Sequence, residues 1–445
     1  MASAQHHHPN LPPVNPEQSL TERFRLVTAI HGARLAISDG SRRVSYQELD
    51  RESDRLAWMI RQRSGLSKQP VGLICPQSAE SIISILAVLK SGNVYVSLDP
   101  SATPQRTSAI LQAIDCRLIL TDGRHLRLAN DIAGAVTHVL NIEDVNPDSD
   151  PIDIPHPSAG DVAYIFFTSG TTGEPKGVFD SHTNAAHNVL RYSDTLHFGP
   201  DDRMSLVQAP SFSGTVSTIF GALLNGASLF PYDAAKRGLL SISSWLRSNE
   251  ITIYHSVPAL FRVVFEDPDV SPALRLVRLE GDRATTADLR LFERTNSSAK
   301  IVNGLGSTET GLVSQFFAER GFENKNGVLP VGSPVRDMSV SITDETGSPV
   351  DDGESGYVAV TSPYLALGYQ QGGKVLQSGF RRNEDGSRTY VSQDLGVIRE
   401  HGLEILGRAG RRRRDADPPQ RRAVLHVRAA GPGVLAGRPV YGADR

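Results

Sequence analysis

The hydrophobic positions along this chain follow two alternating patterns. Short runs rich in Val, Ile and Leu alternate with longer stretches in which apolar residues recur at helical spacing. The first pattern is typical of buried strands and the second of amphipathic helices. Together they predict strands over residues 71–75, 94–98, 118–121, 162–168, 251–255 and 274–279, and helices over residues 46–62, 81–90 and 104–114. Because strands and helices alternate, we expect an α/β fold with mostly parallel sheets and crossover helices.

The chain changes character near residue 332 and at both ends. We expect residues 1–18 to form a disordered lead-in. From residue 332 to about 405, shorter strands separated by Gly and Asp predict a β-rich, barrel-like part. Residues 410–445 mix Arg, Pro, Ala and Gly without a sustained period, which predicts a disordered tail. The folded domain is therefore expected to span residues 19–409.

Composition narrows the classes of function. A chain of 445 residues is too long for one compact core, so we expect several subdomains. The net charge of -3 gives no basic field to hold nucleic acid. The two cysteines, Cys75 and Cys116, stand in no zinc-binding spacing and fit a reducing compartment. Since the most apolar stretch, residues 82–89, is too short to span a bilayer, we expect a soluble cytoplasmic protein without a membrane partner.

The strongest chemical signal is a loop that follows the strand predicted at 162–168. Its candidate phosphate-binding residues are Thr168, Ser169, Gly170, Thr171, Thr172, Gly173 and Lys176. Small residues let backbone N–H groups approach phosphate oxygens, and the hydroxyls and the lysine add further donors. A Walker-type loop requires Gly before the lysine and Ser or Thr after it, whereas Pro175 and Gly177 stand there. The loop therefore predicts phosphate binding of another kind.

This loop resembles the signature loop of the acyl-adenylate-forming superfamily, which also includes acyl-CoA synthetases and luciferases. Four further segments resemble core motifs of that family and follow in family order: residues 44–49, 89–100, 303–310 and 390–396. The second of them is characteristic of the adenylation domains of non-ribosomal peptide synthetases. The resemblance covers about residues 20–409. It implies two doubly wound, mostly parallel sheet subdomains followed by the β-rich part.

The resemblance implies an AMP-forming ligase. Such an enzyme uses ATP and Mg²⁺ to convert a small carboxylic acid, an amino acid or a related acid, into acyl-AMP and pyrophosphate. It then passes the acyl group to the phosphopantetheine thiol of a carrier protein in non-ribosomal peptide biosynthesis. Two alternatives stay open. One is an acyl-CoA synthetase, which residues 95–100 disfavour, and the other is a catalytically impaired, nucleotide-binding relic.

The resemblance also assigns residues to the reaction. Lys176, Thr308 and Glu309 are the expected catalytic residues; Thr308 would meet the α-phosphate, and Glu309 would hold Mg²⁺, which prefers oxygen ligands. Asp394 is expected to accept hydrogen bonds from both ribose hydroxyls. The remaining nucleotide-binding residues are expected to be those of the phosphate loop together with Gly304, Leu305, Gly306, Ser307 and Arg408.

Two positions depart from the family pattern. Leu305 stands where an aromatic residue usually stacks on adenine, so we expect weaker stacking. Ser213 stands where amino-acid-activating members carry the Asp that pairs with the α-ammonium. Because a buried ammonium without a partner is costly, an ordinary α-amino acid is disfavoured as substrate. The resemblance assigns the following residues to the acid pocket: Phe212, Ser213, Gly214, Ser217, Ser256, Arg278, Glu280, Gly304, Leu312 and Val313.

The charged pair Arg278 and Glu280 allows three interpretations. If Glu280 faces the acid, it would hold a displaced amino group, as in a β-amino acid. If Arg278 faces the acid, it would favour an acidic or hydroxy acid. If the two form a salt bridge with each other or face solvent, neither charge selects the substrate.

The C-terminal end is the largest departure from the family. Family members continue past Arg408 with an Asp hinge and a small domain that carries a further lysine, whereas Gly410 stands at the hinge position and no such domain follows. We expect a truncation by frameshift. ATP binding would then be retained, while adenylate formation is slowed and carrier thiolation is lost.

Overall fold

The structure is a computed structural model. It describes residues 11–65, 67–145, 157–169, 175–295, 297–371, 374–376 and 379–409. The chain divides after Arg408 into two units, and the fold given below is that of the first unit, residues 1–408. The tail predicted at 410–445 lies outside the described residues.

The elements follow the predicted alternation. The helices are α1 (Leu20–His31), α2 (Tyr46–Ser64), α3 (Ala79–Lys90), α4 (Pro104–Ala113), α5 (Leu126–Ile132), α6 (His182–Leu196), α7 (Thr215–Leu223), α8 (Ala234–Arg237), α9 (Ile242–Ser248), α10 (Pro258–Val264) and α11 (Thr286–Glu293). The first strands are β1 (Leu35–Ser38), β2 (Arg43–Ser45), β3 (Pro70–Ile74), β4 (Val94–Leu98), β5 (Leu118–Thr121), β6 (His138–Asn141), β7 (Val162–Ser169), β8 (Pro175–Ser181), β9 (Arg203–Leu206), β10 (Ser228–Pro231) and β11 (Ile253–Ser256). The later strands are β12 (Leu276–Leu279), β13 (Lys300–Ser307), β14 (Gly311–Ala318), β15 (Ser333–Pro334), β16 (Ser339–Thr343), β17 (Gly356–Ser362), β18 (Gly368–Gln371), β19 (Lys374–Leu376), β20 (Phe380–Arg382), β21 (Arg388–Arg399) and β22 (Gly402–Arg408).

Local signals fix where the predicted helices begin and end, as α2 illustrates. The Ser45 hydroxyl accepts the Glu48 backbone N–H, and the Glu48 carboxylate accepts the Ser45 N–H at 2.8 Å, which is a complete capping box. Gly65 ends the helix with φ 59°, in the left-handed region that favours glycine. The helix therefore runs two residues beyond the predicted end at Gln62.

Two mostly parallel sheets form the body of the unit. The first has the order β19-β18-β8-β7-β4-β3-β5-β6, in which β3 to β7 are parallel and β8, β18 and β19 are antiparallel. The second has the order β15-β14-β13-β12-β11-β9-β10-β1-β2, with β2, β14 and β15 antiparallel. The predicted fold class is confirmed, and its β-rich part is a third sheet, antiparallel β16-β17-β21-β20 with β22 beside β21.

Helices cover both faces of each parallel sheet. The largest hydrophobic cluster joins α1, α2, α3, α6 and α7 to side chains of both sheets. A second cluster packs α9, α10 and α11 on the second sheet, and a third packs α4 and α5 on the first. In such doubly wound sheets, ligands bind beyond the carboxyl ends of the parallel strands.

The prediction of disorder is wrong for residues 11–18, and residues 1–10 lie outside the described residues. Leu11 and Val14 are buried in the largest cluster. The buried guanidinium of Arg23 in α1 donates to the carbonyl oxygens of Pro12 at 2.7 Å and Pro13 at 3.4 Å. These carbonyl oxygens supply the hydrogen-bond acceptors that the buried Arg23 guanidinium requires. The same hydrogen bonds hold residues 12–13 in place. In the part of the chain that is described, no helix combines the length and the apolar character that crossing a membrane requires.

Candidate functional site

The two ends of the predicted phosphate loop lie side by side. Strands β7 and β8 pair in antiparallel register, with Thr168 opposite Lys176 and Ser169 opposite Pro175. The loop therefore leaves and re-enters the first sheet at the carboxyl end of β7, where phosphate sites of α/β folds are found. Its central residues, Gly170, Thr171, Thr172 and Gly173, lie outside the described residues.

Thr308 and Glu309 occupy the tight turn between β13 and β14. Arg191 of α6, which is fully buried, donates to the carbonyl oxygens of Thr310 at 3.4 Å and Leu312 at 2.8 Å. Burial lowers the pKa of Arg191 to about 10, so the side chain stays cationic at neutral pH. Asn188 accepts the Leu312 N–H at 2.9 Å. Helix α6 thus fixes the backbone that presents Thr308.

The contribution of α6 was missed by the sequence interpretation. Asn184, His187, Asn188 and Arg191 lie on one face of the helix, and all four are buried. These residues stand at positions i, i+3, i+4 and i+7, and this spacing was the sequence signal that they share one helix face. The same spacing also describes a solvated helix face, so the sequence pattern alone does not identify a buried polar stripe.

The acid motif, which is the segment around Ser213 assigned to the acid pocket, contacts the nucleotide motif, which is the segment around Thr308. The hydroxyl groups of Ser213 and Thr308 are 2.9 Å apart. The preceding ring, Phe212, packs over Gly214 and Gly281: a Cβ at Gly214 would lie 2.3 Å from Cε1 of Phe212. Gly281 has φ +86°, where larger side chains are strained. Two glycines therefore allow the Phe212 ring to lie against the backbone beside Ser213.

Glu309 is oriented by strand β18 of the first sheet and by the segment before that strand. The Tyr369 hydroxyl donates to Oε1 of Glu309 at 3.0 Å, and the Ala366 N–H donates to the Glu309 carbonyl oxygen at 2.9 Å. The Tyr390 hydroxyl lies 3.4 Å from that of Tyr369. Burial and the neighbouring Glu309 carboxylate raise the pKa of Tyr369, so its hydroxyl remains a donor.

The Glu309 carboxylate fits a magnesium ion whose other ligands are phosphate oxygens of the substrate and water. Oε2 of Glu309 has no hydrogen-bond partner among the described residues, and the carboxylate is half-buried. Mg²⁺ bound with nucleotides commonly uses one or two carboxylates, phosphate oxygens and water. The described residues contain no cluster of three or more His, Cys, Asp or Glu side chains that could hold a metal by itself. Glu309 would therefore act as a single protein ligand.

Asp394 and Arg408 are direct partners in the third sheet. Nε of Arg408 lies 3.1 Å from Oδ1 of Asp394, and the two residues are opposite each other in β21 and β22. Burial raises the pKa of Asp394, and the arginine opposes that change. The Asp394 side chain keeps 24% exposure, which leaves it accessible to a ligand. Leu305, whose position implies weaker adenine stacking, is partly buried against the core.

Five buried side chains form one polar network, which we call the Arg278 cluster: Tyr192, Ser217, His255, Arg278 and Glu280. Nη2 of Arg278 donates to Ser217 Oγ at 3.1 Å and lies 3.2 and 3.4 Å from the two oxygens of Glu280. Tyr192 donates to Glu280 Oε2 at 2.7 Å, and His255 Nε2 lies 3.4 Å from it. The interpretation that Arg278 and Glu280 form a salt bridge with each other is confirmed.

The other predicted pocket residues surround this cluster. Gly304 gives the Glu280 side chain its space, because a Cβ there would lie 2.9 Å from Oε1 of Glu280. Ser256 is buried, and its hydroxyl donates to the Val257 carbonyl oxygen at 3.1 Å. Leu312 and Val313 belong to the hydrophobic core. Gly306 and Ser307 end β13 directly before Thr308.

A buried carboxylate connects the phosphate-loop strand to Glu309. Asp180 in β8 accepts hydrogen bonds from the Tyr164 hydroxyl at 3.2 Å and the Asn184 amide at 2.6 Å. Asn184 also donates to the Leu365 carbonyl oxygen at 2.7 Å, one residue before Ala366, which bonds Glu309. Burial raises the pKa of Asp180 from its ordinary value of 3.8 to about 6, against the opposing hydrogen bonds.

We expect Asp180→Asn to remove a pH dependence of stability. Because the folded pKa is raised, the contribution is full below pH 3.8 and is lost as pH rises through about 6. That pKa change corresponds to about 3 kcal/mol. Urea unfolding should show the wild type losing about 3 kcal/mol relative to the variant between about pH 4 and about pH 7. An identical pH dependence in both proteins would contradict this assignment.

A cavity of ≈ 730 Å³ lies apart from these residues. Charged side chains line it, among them Arg42, Arg51, Asp122, Arg124 and Arg237. It includes none of the residues predicted for the nucleotide or the acid. The contacts between named side chains, rather than this cavity, define the candidate site.

Comparison with known proteins identifies relatives over most of the chain. The chain matches the family model described as AMP-binding enzyme over residues 24–370. It is 28% identical over 392 residues to tyrocidine synthase 3 of Brevibacillus parabrevis, covering 84% of this chain and 6% of that protein. It is 27% identical over 401 residues to gramicidin S synthase 2 of Brevibacillus brevis, covering 88% and 9%. The chain thus spans only a small part of these relatives' lengths.

Solved structures share the fold. A crystal structure of the non-ribosomal peptide synthetase FmoA3 aligns with a TM-score of 0.80 at 25% identity, covering 90% of this chain and 43% of that one. The N-terminal subdomain of Klebsiella oxytoca NpsA, in complex with 3-hydroxybenzoyl-AMSN, aligns with a TM-score of 0.76 at 25% identity, covering 88% and 100%. NpsA-ThdA, an artificially fused adenylation–PCP di-domain, aligns with a TM-score of 0.77 at 25% identity, covering 89% and 80%.

Proposed function

This chain belongs to the AMP-binding enzyme family, and we propose that its site activates a carboxylic acid with ATP to give acyl-AMP and pyrophosphate. The contact between Ser213 and Thr308 is the observation that carries the proposal. It brings the acid motif within hydrogen-bond distance of the residue expected at the α-phosphate. An acid and a nucleotide that bind these two motifs would have their reacting groups side by side.

The reaction needs positioning and charge stabilisation, and no covalent enzyme intermediate. One carboxylate oxygen of the acid bonds to the α-phosphorus while the bond from that phosphorus to the pyrophosphate oxygen breaks. The Thr308 hydroxyl would donate to the α-phosphate, and Lys176 would add positive charge near the phosphates. Asp394 would accept the ribose hydroxyls, which fixes the nucleotide. Magnesium at Glu309 would supply further neutralisation of phosphate charge.

We also propose that the acyl group passes to the phosphopantetheine thiol of a carrier protein, with AMP as the leaving group. Two observations support this partner. FmoA3 is a non-ribosomal peptide synthetase, and NpsA-ThdA joins an adenylation domain to a PCP domain. Residues 89–100, which resemble the peptide-synthetase motif, form the end of α3, the turn after it and strand β4.

ATP–pyrophosphate exchange tests the proposed reaction. We expect exchange with at least one acid from a panel of α-amino, β-amino, hydroxy and aryl acids. The panel is run with this chain and with the chain joined to a C-terminal domain of the same family, because the reaction in the family uses a lysine from that domain. Exchange only in the joined protein would show that the reaction depends on the added domain. No exchange in either protein, together with no binding of AMP, would contradict the proposed function.

A further inference from the structure

The cavity of ≈ 730 Å³ lies at the point of the first sheet where the chain changes direction. Strand β3 has β4 on one side and β5 on the other, and all three are parallel. The helix after β3, α3, packs on one face of the sheet, whereas the helix after β5, α5, packs on the opposite face. Residues 76–78, which follow β3, and residues 122 and 124, which follow β5, line the cavity. In open α/β sheets, ligands bind in the crevice between two such diverging loops.

The second sheet supplies another wall of the cavity. Helix α8, which follows β10, contributes Lys236 and Arg237. Gly40, in the turn between β1 and β2, has φ +88°, and a Cβ there would lie 3.6 Å from Nη1 of Arg237. The turn and α8 are therefore close neighbours at the edge of the cavity. Small-molecule sites commonly have volumes of about 300–1,000 Å³, so the cavity has the size of such a site.

The acidic side chains of the cavity already accept hydrogen bonds from this chain. These residues are Asp39, Glu52, Glu80, Asp122, Glu143 and Asp233. Glu52 and Glu80 accept from the Arg42 guanidinium at 2.8 and 3.0 Å. Asp39 accepts the backbone N–H of residue 79 at 3.0 Å, and the other three accept the backbone N–H groups of residues 123, 125 and 236. These carboxylates therefore hold the loops and the helix ends that form the walls.

Several cations of the same cavity have no such partner. Among the described residues, no hydrogen bond or ion pair engages the side chains of Arg51, Arg124 and Lys236. All three residues are exposed, so their donors face open space and not the packed interior. The guanidinium of Arg237 lies over the Tyr232 ring, with Cζ 4.8 Å from the ring centroid, which occupies its face and leaves its N–H groups available. The cavity thus has more free donors than free acceptors.

We propose that this cavity binds a small molecule that carries a phosphate group, held by Arg51, Arg124, Lys236 and Arg237. A phosphate has three acceptor oxygens and a charge of nearly two, so it can pair with several cations at once, and guanidinium forks match its geometry. Apolar side chains in the same wall would contact the organic part of the ligand: Leu56, Ile83, Ile142 and Val145. This inference goes beyond the function proposed above and uses none of its residues.

Calorimetric titration of the whole chain with phenyl phosphate tests the proposal. We expect the double variant Arg51→Gln with Arg124→Gln to bind this probe about tenfold or more weakly than the wild type. Both side chains are exposed and unpaired, so the variant should keep its fold. Lys236→Gln changes the wall from the second sheet and should weaken binding independently. Arg127→Gln is the matched control, because Arg127 is 95% exposed, lies three residues beyond Arg124 and does not line the cavity.

Two further probes identify the group that is recognised. Tighter binding of phenyl phosphate than of inorganic phosphate would show that the ligand is a phosphate ester that uses the apolar wall. Equal binding of the two, with the same dependence on Arg51 and Arg124, would show that free phosphate is the ligand. Benzoate has the same ring but a single charge, and it should bind about tenfold or more weakly than phenyl phosphate. Benzoate binding as tightly as phenyl phosphate would overturn the assignment of a phosphate ligand.

Lys176→Gln distinguishes this cavity from the phosphate loop, and it should bind phenyl phosphate as the wild type does. Binding that is lost in Lys176→Gln but kept in the double arginine variant would place the phosphate at the nucleotide site and overturn the proposal. Equal affinity of the wild type and the double variant would also overturn it, and so would the absence of binding by any of the three probes. These outcomes leave the proposed function standing, because that function is tested by nucleotide binding and pyrophosphate exchange.

Discussion

Replacing Arg278 by methionine is expected to lower the free energy of unfolding by about 4 kcal/mol. The variant leaves the Glu280 carboxylate buried without its cation, and only Tyr192 and His255 remain as partners. Removing one member of a buried ion pair costs far more than the pair itself contributes, because the remaining charge has lost its hydration. Urea unfolding followed by circular dichroism measures the loss.

The matched control is the double variant Arg278→Met with Glu280→Gln. It removes the charge that the single variant leaves behind, so it should recover most of the lost stability. The single variant should also lose more stability at neutral pH than at about pH 4, because protonation of Glu280 relieves the unpaired charge. A single variant destabilised by less than about 1 kcal/mol, or a double variant no more stable than the single one, would contradict a buried ion pair.

Asp394→Ala is expected to weaken AMP binding by about 100-fold or more. Two hydrogen bonds from ribose hydroxyls to an ionised carboxylate contribute about 1.5–3 kcal/mol each. The fold should be little affected, because the partner Arg408 keeps 63% exposure and an exposed ion pair contributes little stability. Calorimetric titration with AMP compares the wild type with the variant.

Comparing AMP with a nucleotide that lacks the ribose hydroxyls shows whether the lost affinity comes from contacts with those hydroxyls. The wild type should bind AMP much more tightly than 2′,3′-dideoxy-AMP, whereas Asp394→Ala should bind both equally. Asp352→Ala, on an exposed turn of the same unit, is the control and should bind AMP as the wild type does. A variant that loses affinity for both nucleotides in equal measure would show that Asp394 does not contact the ribose hydroxyls.

The sheet architecture was predictable because its signals are local. The six strands predicted from apolar runs all occur within two residues of the predicted bounds, and so do the three helices. Parallel strands buried on both faces give continuous apolar runs, which are the clearest pattern a sequence can carry. Residues 11–14 gave no such pattern, since their placement depends on Arg23, which lies in a helix later in the chain.

The candidate site was predictable only where a motif is contiguous. Thr308, Glu309 and Asp394 stand in short segments with a recognisable order of residues. Arg191 and Tyr369 carry no such signal: each acts on a turn that is distant in sequence, at Thr310 and Glu309. The pairing of Arg278 with Glu280 was one of three open interpretations, because a sequence does not state whether two nearby charges face each other.

A crystal structure with a bound acyl-sulfamoyl adenosine is the most direct test of where the nucleotide and the acid bind. We predict that the ribose hydroxyls contact Asp394, that the sulfamoyl group lies at Thr308, and that the acyl group lies beside Ser213. A ligand bound elsewhere, such as in the cavity beside Arg42 and Arg124, would contradict the assignment of the site.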